Sequence, residues 1–380
     1  MREGNDFLNT ARARLTTTPL PWILRSAQQT QAQRRMHTMR TPYPRPENPQ
    51  MPPNAHPSFQ TLPGVYEPSG IQQLPDGRFI VVEDDSRQPL CLLNIDGVGQ
   101  VSSTPLTIDG AKREASLLDQ LRHALGVFDK GAQKEEPGEL GELDDLEGVA
   151  VDRAGVVYAI TSHSRDKDGE AHAAREKLIR FRIDGERVVD AGIVTGLKQA
   201  LTAAHPLLAA AAEIRDVKAD GGLNIEGLTM SPDQRALLIG FRSPLLEGRA
   251  IVTYLRDPAR LFAAASTPDI ATSLTTLDLG GNGIRGMTYV PLLKGYLLIA
   301  GPVARAQVQF ELWFWSGDEQ DPARRVSVAG LPGFEHAEGI SAALIDGQPR
   351  IVIVSDDGSR KQQRFARFLL LDPAQLQIAP

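Results

Sequence analysis

Five dipeptides in this chain could gather chemistry around one point: Ser69-Gly, Glu147-Gly, Glu226-Gly, Arg285-Gly and Glu338-Gly each open an apolar stretch in the same way. If the five positions are equivalent in space, three carboxylates face one another, repel, and raise one another's pKa. Arg285 would offset one of those charges. A bound cation would offset the rest, and carboxylate oxygens from Glu147, Glu226 and Glu338 suit Ca2+ or Mg2+. Such an ion would polarise a substrate oxygen or activate water, with one of the three glutamates as general base. A structural role stands beside this one. Glycine permits a β-bulge, and a glutamate next to it can accept hydrogen bonds from neighbouring strand openings.

A second set of polar residues lies where the strand following each dipeptide ends. These are Asp84 and Asp85, His163, Arg242, and Asp356 and Asp357, with Arg87, Arg165 and Arg360 shortly beyond. His163 is the histidine best placed to act as a catalyst; His336, beside Glu335 and Glu338, is the second. Arg242, in Gly-Phe-Arg-Ser-Pro, carries the planar fork that binds anions, and an ion pair to a neighbouring repeat is its structural alternative. Ser69, Asp85, Arg285 and Asp357 complete the expected ligand-binding set, while the acidic run 133–145 reads as a solvated loop.

The elements that must position these groups form a repeat. Each copy opens with a short polar phrase and glycine, alternates apolar residues into a turn, and returns as a strongly apolar strand. The copies begin at Pro68, Leu146, Ile225, Ile284 and Ala337. A third strand follows each copy, and a fourth follows the first four. Short strands of high β-propensity joined by Asp-Gly or Pro-Asp turns are hairpin grammar, and radial repetition of four-stranded sheets makes an all-β propeller. Five copies predict five blades, and uneven spacing leaves room for a degenerate sixth. The last copy lacks a fourth strand, which segment 58–62 can supply to close the ring. Two helical insertions are expected, over 112–129 and 197–215, the second restarting at Pro206.

In a propeller blade the start of the innermost strand and the end of the second strand share one face, and the connections between blades lie there too. Both polar sets and both insertions are therefore expected at a single mouth, where loops on a rigid scaffold carry function.

Composition bounds the rest. The formal net charge of -6 removes nucleic-acid backbone as a partner. No apolar run approaches the ~20 residues that span a bilayer, and no signal peptide is visible, so a cytoplasmic location is expected. Cys91 is the single cysteine and reads as a buried thiol. Residues 1–57, rich in Arg, Gln, Thr and Pro, cannot bury a core and are expected to be a disordered tail ahead of one propeller domain at 58–380.

Asn224-Ile-Glu-Gly-Leu with Leu238-Ile-Gly-Phe-Arg-Ser-Pro, Gly283-Ile-Arg-Gly-Met with Leu298-Ile-Ala-Gly-Pro, and the Glu-Gly-Ile near the C-terminus resemble the bacterial domain-of-unknown-function 3616 family, over roughly residues 64–372. More distantly, the chain is similar to phytase-like and esterase-like propellers. The resemblance implies a propeller fold and lends no catalytic residues. The expected function is a hydrolase-like propeller, dependent on a metal or an anion, acting on a small ester, lactone or phosphoester at the mouth. Glu147, Glu226, Glu338 and His163 are its expected catalytic residues. A non-catalytic propeller presenting the same mouth to a small molecule or protein is the alternative.

Overall fold

The computed structural model describes residues 57–84, 88–108, 140–263, 266–304, 309–334 and 336–380. After a short strand β1 (Gln60–Thr61), blade I comprises β2 (Pro68–Gln73), β3 (Phe79–Glu83), β4 (Leu90–Ile95) and β5 (Val101–Pro105). Blade II comprises β6 (Leu146–Val151), β7 (Val157–Thr161), β8 (Leu178–Asp184) and β9 (Arg187–Val194). Blade III comprises β10 (Asn224–Met230), β11 (Ala236–Leu246), β12 (Arg249–Arg256), β13 (Asp269–Ile270) and β14 (Thr275–Leu277), the last two both pairing with β12. Blade IV comprises β15 (Gly283–Val290), β16 (Gly295–Gly301), β17 (Glu311–Trp315) and β18 (Arg324–Val328). Blade V comprises β19 (Ala337–Ile345), β20 (Gln348–Ser355) and β21 (Arg367–Leu371), and β22 (Leu376–Ile378) follows. The first strands of neighbouring blades touch in turn around the axis until β19 meets β2. Five blades close the ring, and the described residues hold no sixth.

Each blade is buried on both sides, which is why its middle strands read as continuous apolar runs. One apolar cluster fills each of the five seams. Ile80 and Leu92 of blade I meet Val149 and Ile179 of blade II, for example, and Leu238 and Val252 of blade III meet Leu298 and Trp313 of blade IV. The second insertion folds as α1 (Leu197–Ala204) and α2 (Pro206–Ala212), with Pro206 starting the new helix. Leu201 and Leu208 dock on the seam between blades II and III. A third short helix, α3 (Val217–Asp220), follows. The segment 112–129 and the tail at 1–56 lie outside the described residues. Cys91 is buried in the seam between blades V and I, and burial pushes its thiol up to about 12.

The ring is closed as expected. β1 pairs antiparallel with β21, Gln60 opposite Phe368, and the Leu62 amide donates to the Ala366 carbonyl at 2.8 Å. Sequence reading missed β22, which returns to pair with β18 as a fifth strand of blade IV. Leu62 is fully buried beside this join. Leu62→Ala is expected to cost about 2–5 kcal/mol in a urea melt, the usual penalty for a large-to-small core change; a loss under ~1 kcal/mol would show that the join does not hold the ring.

The repeat's dipeptides have a common backbone role. In β2, β6, β10, β15 and β19 the register skips one residue between the residues flanking Ser69, Glu147, Glu226, Arg285 and Glu338. Each of these five is the extra residue of a β-bulge, released from the ladder at the equivalent place in its blade. The glycine that follows is required by the neighbouring blade. A Cβ on Gly286 would collide with the Glu338 carbonyl oxygen, and one on Gly148 would stand 2.8 Å from the Leu228 Cβ.

Candidate functional site

The five bulged side chains border one cavity of about 780 Å3 at the mouth of the ring, which also takes in Asp84, Asn224, Arg242 and Asp356. Beneath them Ile71, Val149, Leu228, Met287 and Ile340 leave only about 10 Å3 on the axis, roughly the least that holds one water. The site is thus a cup with a closed apolar floor.

On the side of blades III to V the two glutamates are already paired. The Arg285 guanidinium lies between two carboxylates. Nη1 donates to both Glu226 oxygens, at 2.9 and 2.7 Å, and Nη2 donates to Glu338 Oε1. Arg242 Nη1 and Asn224 Nδ2 also donate to Glu226 Oε1, at 3.1 and 2.9 Å, while Arg242 Nε holds the Pro302 carbonyl at 3.0 Å. Burial alone would weaken the Arg285 charge, but Glu226, Glu338 and Glu147 more than reverse this and raise its pKa. Asp356 completes this side, raised to about 6 by burial against the opposing pull of Arg285.

Blades I and II present a different half. Arg175 binds Asp144 Oδ2 at 2.7 Å and Asp145 Oδ2 at 3.0 Å, and the Ser164 hydroxyl donates to Asp145 at 3.2 Å. Asp84 is raised to about 8, first by its surroundings and then by the charge and hydrogen bond of Asp145. Its surface nonetheless stays open at the mouth, so water screens part of that rise. Glu147 is only 9 % exposed and has no hydrogen-bond or ion-pair partner among the described residues. Burial first, then the charges of Glu226 and Asp145, push its carboxyl well above the usual range.

Several expected residues lie elsewhere. His163 is fully buried and does not line the cavity. Its φ of 58° turns the ring in beside Lys198 of α1, where Nδ1 meets the Thr161 carbonyl at 2.8 Å and burial lowers its pKa to about 4. Asp357 is likewise displaced. One oxygen accepts from the Ser355 hydroxyl at 2.9 Å and the other binds Arg367, and its neighbour Asp356 lines the cavity instead. His336 is exposed and packs beside Phe310. Asp85, Arg87 and Glu335 are outside the described residues. The end of the acidic run expected to be solvated belongs to the site, because Asp144 and Asp145 line the cavity. Their position just before β6, at the mouth end of an innermost strand, was the available signal. Arg175 gave none.

The ring does not suit a divalent ion at the three glutamates. Both Glu226 oxygens and Glu338 Oε1 are committed to Arg285, which stands where the ion would. Among the described residues no three His, Cys, Asp or Glu side chains converge as metal ligands. Nor is any described helix long and apolar enough to cross a membrane.

A family model described as a protein of unknown function (DUF3616) matches residues 197–372, from α1 onward. No protein of curated function matches the sequence. Among solved structures, an oxidoreductase assigned as a glucose dehydrogenase from Thermus thermophilus is 15 % identical, with 83 % of this chain and 100 % of that one covered at a TM-score of 0.38. The PQQ-bound aldose sugar dehydrogenase of Streptomyces coelicolor is 14 % identical, covering 86 % and 100 % at 0.39. A protein assigned as a gluconolactonase is 11 % identical, covering 82 % and 74 % at 0.39. Likenesses of this size carry nothing about the site.

Proposed function

We propose, from the mouth of this five-bladed propeller, whose residues 197–372 match the model of a family of unknown function (DUF3616), a hydrolase acting on a small ester or lactone by carboxyl proton transfer. One observation carries the reading: the unpaired, buried carboxyl of Glu147 shares a cavity with Asp84, whose own carboxyl is also raised above the usual range. Interacting carboxyls titrate as a set, so near neutral pH such a cluster can hold a proton and still offer a base. In hydrolysis the ionised member of the Glu147 and Asp84 pair would take a proton from the water that attacks the carbonyl carbon, and the protonated member would give its proton to the departing oxygen as the acyl–oxygen bond breaks. Arg242 and Arg285, fixed by Glu226 and Glu338, hold the opposite wall. The cavity's acidic lining disfavours a phosphoester, whose negative charge it would repel.

A panel of short-chain esters and lactones tests the reading. Glu147→Gln is expected to lower kcat/KM at least about 100-fold, the low end of what a positioned proton-transfer group contributes. Wild-type turnover should fall as pH rises past about 8, where Asp84 loses its proton. Tight ligand binding with no turnover on any substrate would instead assign the mouth to a non-catalytic binding module.

A further inference from the structure

The arginines at the mouth are committed. Arg285 and Arg242 are spent on Glu226 and Glu338, and Arg175 on Asp144 and Asp145. Arg165 holds the Ala212 carbonyl at 3.0 Å. Lys167 and Lys218 also border the cavity, but they are exposed and make no contact with Glu147. One deeply placed acid, Glu147, is therefore left without a counter-charge among the described residues, and Asp84 and Asp145 are close enough to act on it electrostatically.

A desolvated carboxylate is stabilised by an opposite charge brought within a few ångströms. Ca2+ takes six to eight oxygen ligands, and among the described residues no three His, Cys, Asp or Glu side chains converge as metal ligands. The space, about 780 Å3, also dwarfs a single ion. A primary ammonium needs only three acceptors, and Glu147 offers an unpaired carboxyl beside Asp84, whereas Glu226 and Glu338 across the cup are both held by Arg285.

We propose that the ligand of this cup carries a primary ammonium group, which docks against Glu147 on the side of blades I and II. Binding stands on the charge pattern alone; the identification of that ligand as a substrate rests on the hydrolytic reading above.

Two comparisons test it. In calorimetry, ethanolamine should bind wild type at least about tenfold more tightly than ethylene glycol, about 1.4 kcal/mol. Glu147→Gln should abolish that preference, and Asp84→Asn should weaken it. Circular dichroism of both variants must first match wild type. Among substrates, the ethyl ester of β-alanine should exceed its near-isostere ethyl butanoate at least about tenfold in kcat/KM. Equal or absent binding of the two small probes overturns the proposal, as does Ca2+ binding that depends on Glu147 while ethanolamine is ignored. Hydrolysis indifferent to the amino group sinks the ammonium assignment and leaves the hydrolase. Selective ethanolamine binding without ester turnover sinks the hydrolase and leaves the ammonium site.

Discussion

Replacing Arg285 with methionine is expected to destabilise the propeller by about 3–5 kcal/mol, the usual loss when one partner of a buried ion pair is removed. The side chain is only 10 % exposed and is the shared cation of Glu226 and Glu338, themselves almost sealed. Removing it leaves two buried carboxylates, of which Glu226 keeps Arg242 and Asn224 and Glu338 keeps no other hydrogen-bond partner among the described residues. Arg285→Lys should recover part of the loss, since one ammonium cannot span both carboxylates as a guanidinium fork does. Adding Glu226→Gln and Glu338→Gln to the methionine variant should also recover part of it, because the two stranded carboxylates are then gone, although Arg242 loses its ion pair with Glu226. Urea unfolding of the four proteins measures this. A loss below ~1 kcal/mol for Arg285→Met would mean that the bulged ring is not held together by its central arginine.

Stability should fall as pH rises above 6.5, and Glu147→Gln should reduce that slope. The folded state raises the Glu147 carboxyl above its ordinary 4.5, so above that value the folded chain keeps a proton that the unfolded chain has lost. The contribution is complete below 4.5 and disappears as pH climbs toward the folded value, by up to about 1.4 kcal/mol per pH unit for one proton. Asp84 acts in the same direction. His163 acts in the opposite one: held neutral with its pKa lowered from 6.5 to about 4, it stabilises the fold above 6.5, and that stability is lost as pH falls toward 4. Below 6.5 the effects overlap, so the clean window lies above it. At pH 8 the glutamine variant should be more stable than wild type while losing the proposed activity, the trade expected of a site built from mutually repelling acids. An unchanged slope in Glu147→Gln would show that Glu147 is ionised in the folded protein.

What could be read from the residues was whatever repeats. The five dipeptides lie at equivalent bulges because a backbone irregularity is inherited with its flanking pattern, and the closing role of segment 58–62 followed from the missing strand of blade V. What could not be read depends on distances between blades. Nothing in the order of residues says that Arg285 takes both Glu226 and Glu338 and leaves Glu147 alone. His163 was misplaced because its repeat position sets where the backbone goes, whereas one left-handed residue sets where the ring points. Asp357 was chosen over Asp356, and the two differ by one residue just past the end of β20, where no pairing pattern says which faces inward. β22 carries only three paired residues, too few for any periodicity to announce.

The join between β1 and β21 also constrains how the molecule is made. Blades I to III can assemble in order as the chain leaves the ribosome, since each blade's own strands are consecutive, whereas blade IV receives its fifth strand, β22, only at the end. Blade V also waits, because its outermost strand is among the first described residues synthesised and pairs with Arg367–Leu371, near the end of the chain. Until then both ends of the nascent ring offer unpaired strand edges, the surfaces that recruit other chains. Product truncated before residue 367 would keep those edges exposed, so premature termination should yield aggregate rather than a shorter working propeller.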